Sequence, residues 1–551
     1  MAQALLDAYR SGTSEAMERL YAFTWHRRTW EAMRRYVQSD LGHRESPDVE
    51  IDLDDARWLV AREHDFDDWT ALVTFCTTLR ADATVLRKPV GVLSADASGV
   101  HATEHSAHDW ATVLERLASP TATTFVGNGM ATDAMLSDLA RFRHLTNLQL
   151  GGSAGVSDDG VRALAALPGL RQLDLSGTSV TDDGLQLLAS LPSLETLSLA
   201  WTRVTDAGLG GLRGCQLLVD VNLSGTHTGD GALRALAGKP RLSQLHVGHD
   251  VTDDGIRVLH ELPCFTTWQG GDVTSGFLRP SVPPNHLSLP RTVTARGIAA
   301  LRGLDGLYAL GVAAGDVPRD GASLRPLLDL PRLGWLMVDI DGDAMSVIAE
   351  LPELRTLSCQ DTPAGDDGWM ALSRSRTLES IWGRRCHNLQ RRGFEALSRL
   401  PALRALSVSC KNVGDAGVAA LPHFPALREL MPMDIPDAGY RHIARCTDLE
   451  VLTLMYCRDT TDAATEHLVA LPRLTRYFAS YTQVTDRTPA LLATIDSLES
   501  VTFDSCARLT NAGVAQLARL PRLREVRVSG RRITGDVVRA FPDSVAVRYA
   551  R

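Results

Sequence analysis

The stretch GVHATEHSAHDW, residues 99–110, gathers His101, Glu104, His105 and His108 into eight positions. On one continuous helix, imidazoles at i and i+4 can grip a single zinc ion while an intervening glutamate acts as general base. His101, Glu104 and His105 therefore spell metal-dependent hydrolysis, with His108 as a further donor. A second group, LHVGHD at 245–250, offers His246 and His249, with Asp272 as a more distant carboxylate. Either set needs a scaffold that aims its donors at one point.

The first spacing resembles that of inverted zinc proteases, in which both imidazoles project from one helix. Here LSADASGV precedes His101 and is turn-forming, while His108-Asp109 reads as a helix start, so the segment reads as a polar loop. Such zinc sites also draw a carboxylate from a second helix, and this chain passes at once into repeats. His246 and His249 fall on one expected strand without a third nitrogen or sulfur ligand. No Ser-His-Asp set, glycine-rich phosphate loop or G-x-x-x-x-G-K-[S/T] occurs. The expectation is no catalytic residue, no metal and no cofactor.

The scaffold is periodic. LPGLRQLDLSGTSVTDDGLQLLAS at 167 is followed by LPSLETLSLAWTRVTDAGLGGLRG at 191, CQLLVDVNLSGTHTGDGALRALAG at 215 and KPRLSQLHVGHDVTDDGIRVLHE at 239. The pattern returns at 351, 400, 446, 471, 495 and 520, with weaker copies near 142, 304, 330, 375 and 424. In each copy LRQLDL alternates as a half-buried strand does, and TDDGLQLLASL opens with a helix cap and carries leucines at helical spacing. Leu-Pro then stops the helix. Neither half buries its apolar face alone, so stacked neighbours must supply the core.

The motif L-x-x-L-x-L-x-x-[T/C/N] resembles the leucine-rich repeat family over roughly residues 120–551. The resemblance implies an α/β fold: a right-handed solenoid with a parallel concave sheet and helices outside, beside a small all-α N-terminal domain. Thr178, Thr202, Thr226 and Thr482 fill the ninth position in some copies and Cys386, Cys457 and Cys506 in others, like the cysteine-containing, ribonuclease-inhibitor-like repeats. In that family this side chain points inward and bonds backbone of the turn, so these cysteines, and Cys359, are expected to be structural.

The pattern breaks over 262–303, a Gly- and Pro-rich stretch that reads as a loop leaving the solenoid. Residues 1–80 are helical instead, with Trp58, Leu59, Phe66, Trp69, Leu72 and Phe75 as one apolar face. ARWLVAREHDFDDWTALVTF resembles a helical module found beside ankyrin and other repeats in bacterial proteins, although Asp65 and Asp68 stand where that pattern has glycine and serine. The resemblance implies a bacterial origin and a cap or docking role. The expected plan is a helical module at 1–80, a linker and N-terminal cap at 81–120, a solenoid at 121–541 with an insertion at 264–296, and a C-terminal cap at 542–551.

A formal charge of −9 gives no electrostatic case for nucleic acid or anionic membrane. All but three of the 57 basic residues are arginine. No signal-like N-terminus and no long apolar run occurs, and nine scattered cysteines without a C-x-x-C pair suit reduced thiols, so a cytoplasmic location is expected.

Outward strand positions of the later repeats are aromatic, methionine-rich and basic: Trp335, Met337, Trp382, Arg384, Arg385, Met431, Met433, Met455, Tyr456, Arg476, Phe478 and Tyr481. Large apolar side chains there are not needed for folding and have the composition of interface anchors. The basic run around Arg384 and Arg385 suggests an acidic patch on a protein or peptide partner. The sequence thus favours a binding adaptor or sensor over an enzyme. The rivals are an enzyme with a pocket between the 264–296 loop and the concave sheet, and a zinc-dependent hydrolase.

Overall fold

The computed structural model describes residues 2–13, 16–17, 20, 33–34, 37, 50–63, 69–70, 73, 99–101, 106–127, 129–268, 283–290, 292–312, 320–359, 362–383, 386–455, 457 and 459–550. These form two compact units, Met1–Asp250 and Val251–Arg551.

The N-terminal unit begins with helices Ala2–Arg10 and Leu53–Glu63. Leu5, Leu6, Tyr9, Ala56, Leu59 and Val60 close a small apolar core, against which Trp58 and Trp69 pack. The Arg10 guanidinium donates to the Ile51 carbonyl at 3.2 Å. Both helices fall within the span 1–80; Phe66, Leu72 and Phe75 lie outside the described residues.

Seven short strands of this unit follow, from Gly99–His101 to Gln244–His246, each pairing in parallel with the next in sequence. The sheet therefore starts inside the span expected to be linker and cap. Leu148, Leu173, Leu197, Val221 and Leu245 share one register row and are buried. Each such side chain stabilises the fold by roughly 1.5–3 kcal/mol relative to exposure. Behind three of these strands a threonine turns the chain: Thr178, Thr202 and Thr226 donate their hydroxyls to Leu175 O, Leu199 O and Leu223 O at 2.6, 2.6 and 2.7 Å.

The Thr-Asp-Asp-Gly turn does more than cap its own helix. Thr181 caps Asp182–Leu187, accepting from the Asp183 N–H. Asp182, the first helical residue, reaches into the next repeat, where its carboxylate accepts from the Thr205 N–H at 2.7 Å and hydroxyl at 2.7 Å. Asp133 holds Ser157 and Asp158 holds Thr181 in the same way. Further rungs join Asp437 to Thr461, Asp462 to Thr485 and Asp486 to Thr510. The conserved-looking glycine follows from this ladder: a Cβ on Gly160, Gly184, Gly208 or Gly513 would collide with the carboxylate of the preceding repeat.

The C-terminal unit contains twelve parallel strands among its described residues, from His286–Leu289 to Ala546–Ala550, again paired in chain order. The segment at 542–551 is thus largely a last strand, whose Ala-Val-Arg-Tyr-Ala alternation fits the sheet. The break at 262–303 is also more ordered than its composition suggested. Helix Pro263–Thr266, strand His286–Leu289 and helix Ala295–Ala299 are ordinary repeat parts, and LSLPRTVTARGIAAL parallels LSLAWTRVTDAGLGGL. The rung Asp253–Thr294 spans 41 residues, so the carboxylate ladder closes across the insertion at its base. The ladder is interrupted next. Its aspartate is replaced by Gly321 and Gly342, the first helical residues there, while Asp320 and Asp341 cap their own helices, accepting from the Ser323 and Ala344 N–H groups at 2.9 Å each.

Candidate partner-binding face

In the C-terminal unit, residues that alternate with the buried leucines point out of the sheet. Register aligns Gly311, Met337, Ser358, Trp382, Ser407 and Met431 in one row; the following strands place Thr453, Phe478, Thr502 and Arg527 in another. Trp382 is a large aromatic open to solvent, 39% exposed. Trp335, Met337, Met455, Phe478 and Tyr481 are half-buried, and Arg476 is exposed. The Trp335 ring meets the His286 imidazole edge-on at 5.3 Å.

Two expected anchors are not free. Met431 and Met433 are only 5% and 3% exposed, so they form a floor rather than protruding contacts. Their neighbours Ser407 and Ser409 are buried with them. Sequence alternation identified the face but could not register how far side chains on adjacent strands cover one another. Arg384, Arg385 and Tyr456 lie outside the described residues, as does 269–282, the centre of the loop considered as a pocket wall. Tyr481 holds a left-handed backbone, φ 54°, where earlier repeats have Gly152, Gly177 and Gly225, a conformation that costs a bulky residue about 1–3 kcal/mol. Trp201 does the same in the N-terminal unit, φ 60°; its ring covers Gly225 and meets His249 at 6.0 Å. Nothing in the sequence marked Trp201 except its departure from the Ser-Gly-Thr turn.

The histidine motif lies only partly within the described residues. His101 ends strand Gly99–His101 and His108 lies in helix Ser106–Leu117, while Glu104 and His105 are outside the described residues. His101 is thus on a strand, not in the expected loop, because the first parallel ladder already begins there. The described backbone therefore does not put His101 and His108 on one element. His246 closes its strand next to Asn222, whereas His249 sits past the strand at Trp201, so these two do not converge either. Asp272 is outside the described residues. Among the described residues no three His, Cys, Asp or Glu side chains come together as a metal cage.

The repeat cysteines take backbone partners. Cys457 Sγ donates to Pro432 O at 3.2 Å, Cys506 Sγ to Ala479 O at 3.6 Å and Cys386 Sγ to Cys359 O at 3.8 Å. Burial pushes the Cys457 and Cys446 thiols up to about 12, and a hydrogen bond with the Cys386 thiol, together with burial, holds the Cys359 thiol well above its usual range. A thiol held neutral is a poor nucleophile. One structural group escaped the sequence reading. Lys239 replaces the leucine of Leu-Pro, is 2% exposed and donates its ammonium to Leu212 O and Cys215 O at 2.8 and 2.9 Å.

The outward row of the N-terminal unit is polar and largely bonded to itself. Asp174 accepts from the Ser176 N–H at 2.9 Å, the Ser176 and Ser198 hydroxyls lie 2.6 Å apart, and Asn222 accepts from the Ser224 N–H at 3.0 Å. Asp220 stands apart from this network, and burial pushes its carboxyl up to about 6.

Residues 168–189 and 190–212 match the family described as Leucine Rich repeat, and the chain is a leucine-rich repeat protein. Its fold is similar to several solved structures at low identity. An internalin from Listeria monocytogenes shares 15% identity over 66% of this chain and 82% of its own, with a TM-score of 0.28. A TLR13–ssRNA13 complex shares 15% over 74% of this chain and 60% of its own, TM-score 0.40. The yeast Rad7–Elc1 complex shares 14% over 86% and 97%, TM-score 0.35. At this level of likeness no activity or partner carries over. No curated protein matches the sequence. Among the described residues no helix is long and apolar enough to cross a membrane.

Proposed function

We propose that this chain is a protein- or peptide-binding adaptor or sensor, working in a bacterial cytoplasm, that takes its partner on the outward sheet face of the C-terminal unit. In this reading 1–80 is a docking module, 121–541 carries the repeats, and no catalytic step, metal or cofactor is involved. The observation that carries it is Trp382: a large aromatic kept open to water between buried Ser358 and Ser407, in a position where folding asks for no apolar group. Phe478, Trp335, Met337 and Met455 extend the same apolar surface, and Arg476 supplies a cation for an acidic partner group. The net charge of −9 favours a protein over a nucleic acid. The test is affinity capture from the native organism with wild type and a Trp382→Ala/Phe478→Ala pair. Loss of a reproducible set of partners, with an unchanged melting temperature, supports the reading; full retention of that set defeats it.

A further inference from the structure

The outward row of the C-terminal unit alternates in size strand by strand: Gly311 and Met337, Ser358 and Trp382, Ser407 and Met431, Thr453 and Phe478. Parallel strands lie about 4.8 Å apart, so a large side chain recurs about every 9.6 Å along the stack. The small members are closed over: Ser358, Ser407 and Thr453 are buried, and the Met337 methyl lies 3.3 Å from where a Cβ on Gly311 would stand. With Met431 and Met433 buried as well, the centre of the face is a filled, ridged floor. Ridges open to solvent rise at Met337, at Trp382 two strands on, and at Phe478 four strands further.

That relief discriminates between modes of peptide capture. Strand addition needs an unpaired sheet edge, and these strands are paired on both sides. A docked helix, about 10 Å wide, needs an open apolar channel, and the row between Trp382 and Phe478 is closed. A polyproline II helix asks for neither. It has three residues per turn and rises about 3.1 Å per residue, so one side of it recurs every ~9.3 Å, close to the two-strand period. Its rings sit on shallow aromatic platforms, and it arrives already ordered. Charge adds a second constraint. Arg476, two residues before Phe478 on strand Arg476–Ser480, is exposed, and among the described residues its guanidinium makes no ion pair or hydrogen bond.

Resting on the partner-binding reading above, we propose that this face binds a proline-rich, acidic segment of another protein as a polyproline II helix laid across the strands. Every third residue of the segment meets the ridge line of Met337, Trp382 and Phe478, and a carboxylate on it meets Arg476. The full-length protein is titrated, by fluorescence anisotropy, with three labelled peptides of about four turns. The first has proline at every third position and one glutamate near an end, the second has the same composition with the period scrambled, and the third has valine for proline. The periodic peptide should bind at least about tenfold more tightly than the other two, and lose about tenfold with Trp382→Ala or with Phe478→Ala. Arg476→Glu should weaken the glutamate peptide and favour its lysine counterpart. Equal binding of all three peptides, or no binding of the periodic one, overturns the proposal. The partner-binding reading fails separately, only if native partners survive the Trp382→Ala/Phe478→Ala change.

Discussion

The two units build their outward sheet faces from one backbone plan and opposite chemistry. In the N-terminal unit Asp174, Ser176, Ser198, Asn222 and Ser224 spend their polar groups on one another. In the C-terminal unit the equivalent row holds Met337, Trp382, Met431 and Phe478, packed over serines and threonines. A polar surface that satisfies itself gains little from a partner. An apolar ridge left in water gains by being covered. The difference teaches that an identical fold repeat leaves the outward positions free to be specialised, and that the second unit is where binding free energy is available.

The comparison is broken most directly at its strongest point. Trp382→Ala should weaken partner binding by roughly 2 kcal/mol or more, about 30-fold, with little change in melting temperature, whereas Ser198→Ala should leave binding unchanged. An equal effect of both, measured by titration with a purified partner, would erase the distinction between the faces.

The carboxylate ladder, common to both units, is next in size. Asp182→Asn in one unit and Asp462→Asn in the other should each cost about 1–3 kcal/mol of stability by denaturant unfolding, since part-buried donors lose a charged acceptor. Burial pushes the Asp462 carboxyl up, but hydrogen bonds from the Thr485 and Thr488 hydroxyls and N–H groups outweigh it and leave the group below its ordinary value. Its stabilisation is therefore present above the unfolded value, about 3.9, and is lost as pH falls through the lower folded value. Wild type should lose stability faster than Asp462→Asn on acidification below about pH 4.

Asp220 sharpens the contrast from the opposite side. Its carboxyl is raised to about 6 by burial, so the folded state prefers it protonated and stability declines as pH rises from about 4 to 6. Asp220→Asn should raise the denaturation midpoint at pH above 6 and lose that advantage near pH 4. An Asp220 variant with no pH-dependent difference would place the carboxylate in ordinary water. The smallest effect belongs to the exposed pairs: Arg171→Ala, removing the 2.7 Å bridge to Glu195, should shift stability by less than about 1 kcal/mol.

Much of this was legible in the sequence because the repeat writes the same physics many times. Leu173, Leu197 and Leu245 announce the buried row by alternation, and Thr178 or Cys457 announces the turn. The strand at 286–289 was legible too, since LSLPRTV repeats LSLAWTRV, but the glycines and prolines before it hid the match. What the sequence could not carry were contacts between repeats. The glycine of Thr-Asp-Asp-Gly looks like a turn residue until the neighbouring Asp is seen to occupy the space beside it. Met431 looks exposed by periodicity and is buried by its neighbours across the sheet, a relation absent from any single repeat. Lys239 and Trp201 look like accidents of substitution. One closes carbonyls inside the fold, and the other lies over the glycine of the following turn.

The ladder also bears on how such a chain changes length. Each full rung joins an aspartate in one repeat to a threonine or serine in the next, and a repeat such as the one around Thr181, Asp182 and Gly184 brings both halves, with a glycine that makes room. A duplication of one repeat's worth of codons therefore delivers both halves of the joints it creates, and a deletion of the same size removes both. Copy number can drift without a compensating mutation elsewhere. The Asp253–Thr294 rung shows that foreign sequence can be accommodated between the two halves of a joint. The outward residues proposed here to choose the partner take no part in the ladder, so they can change on a different clock from the frame that presents them.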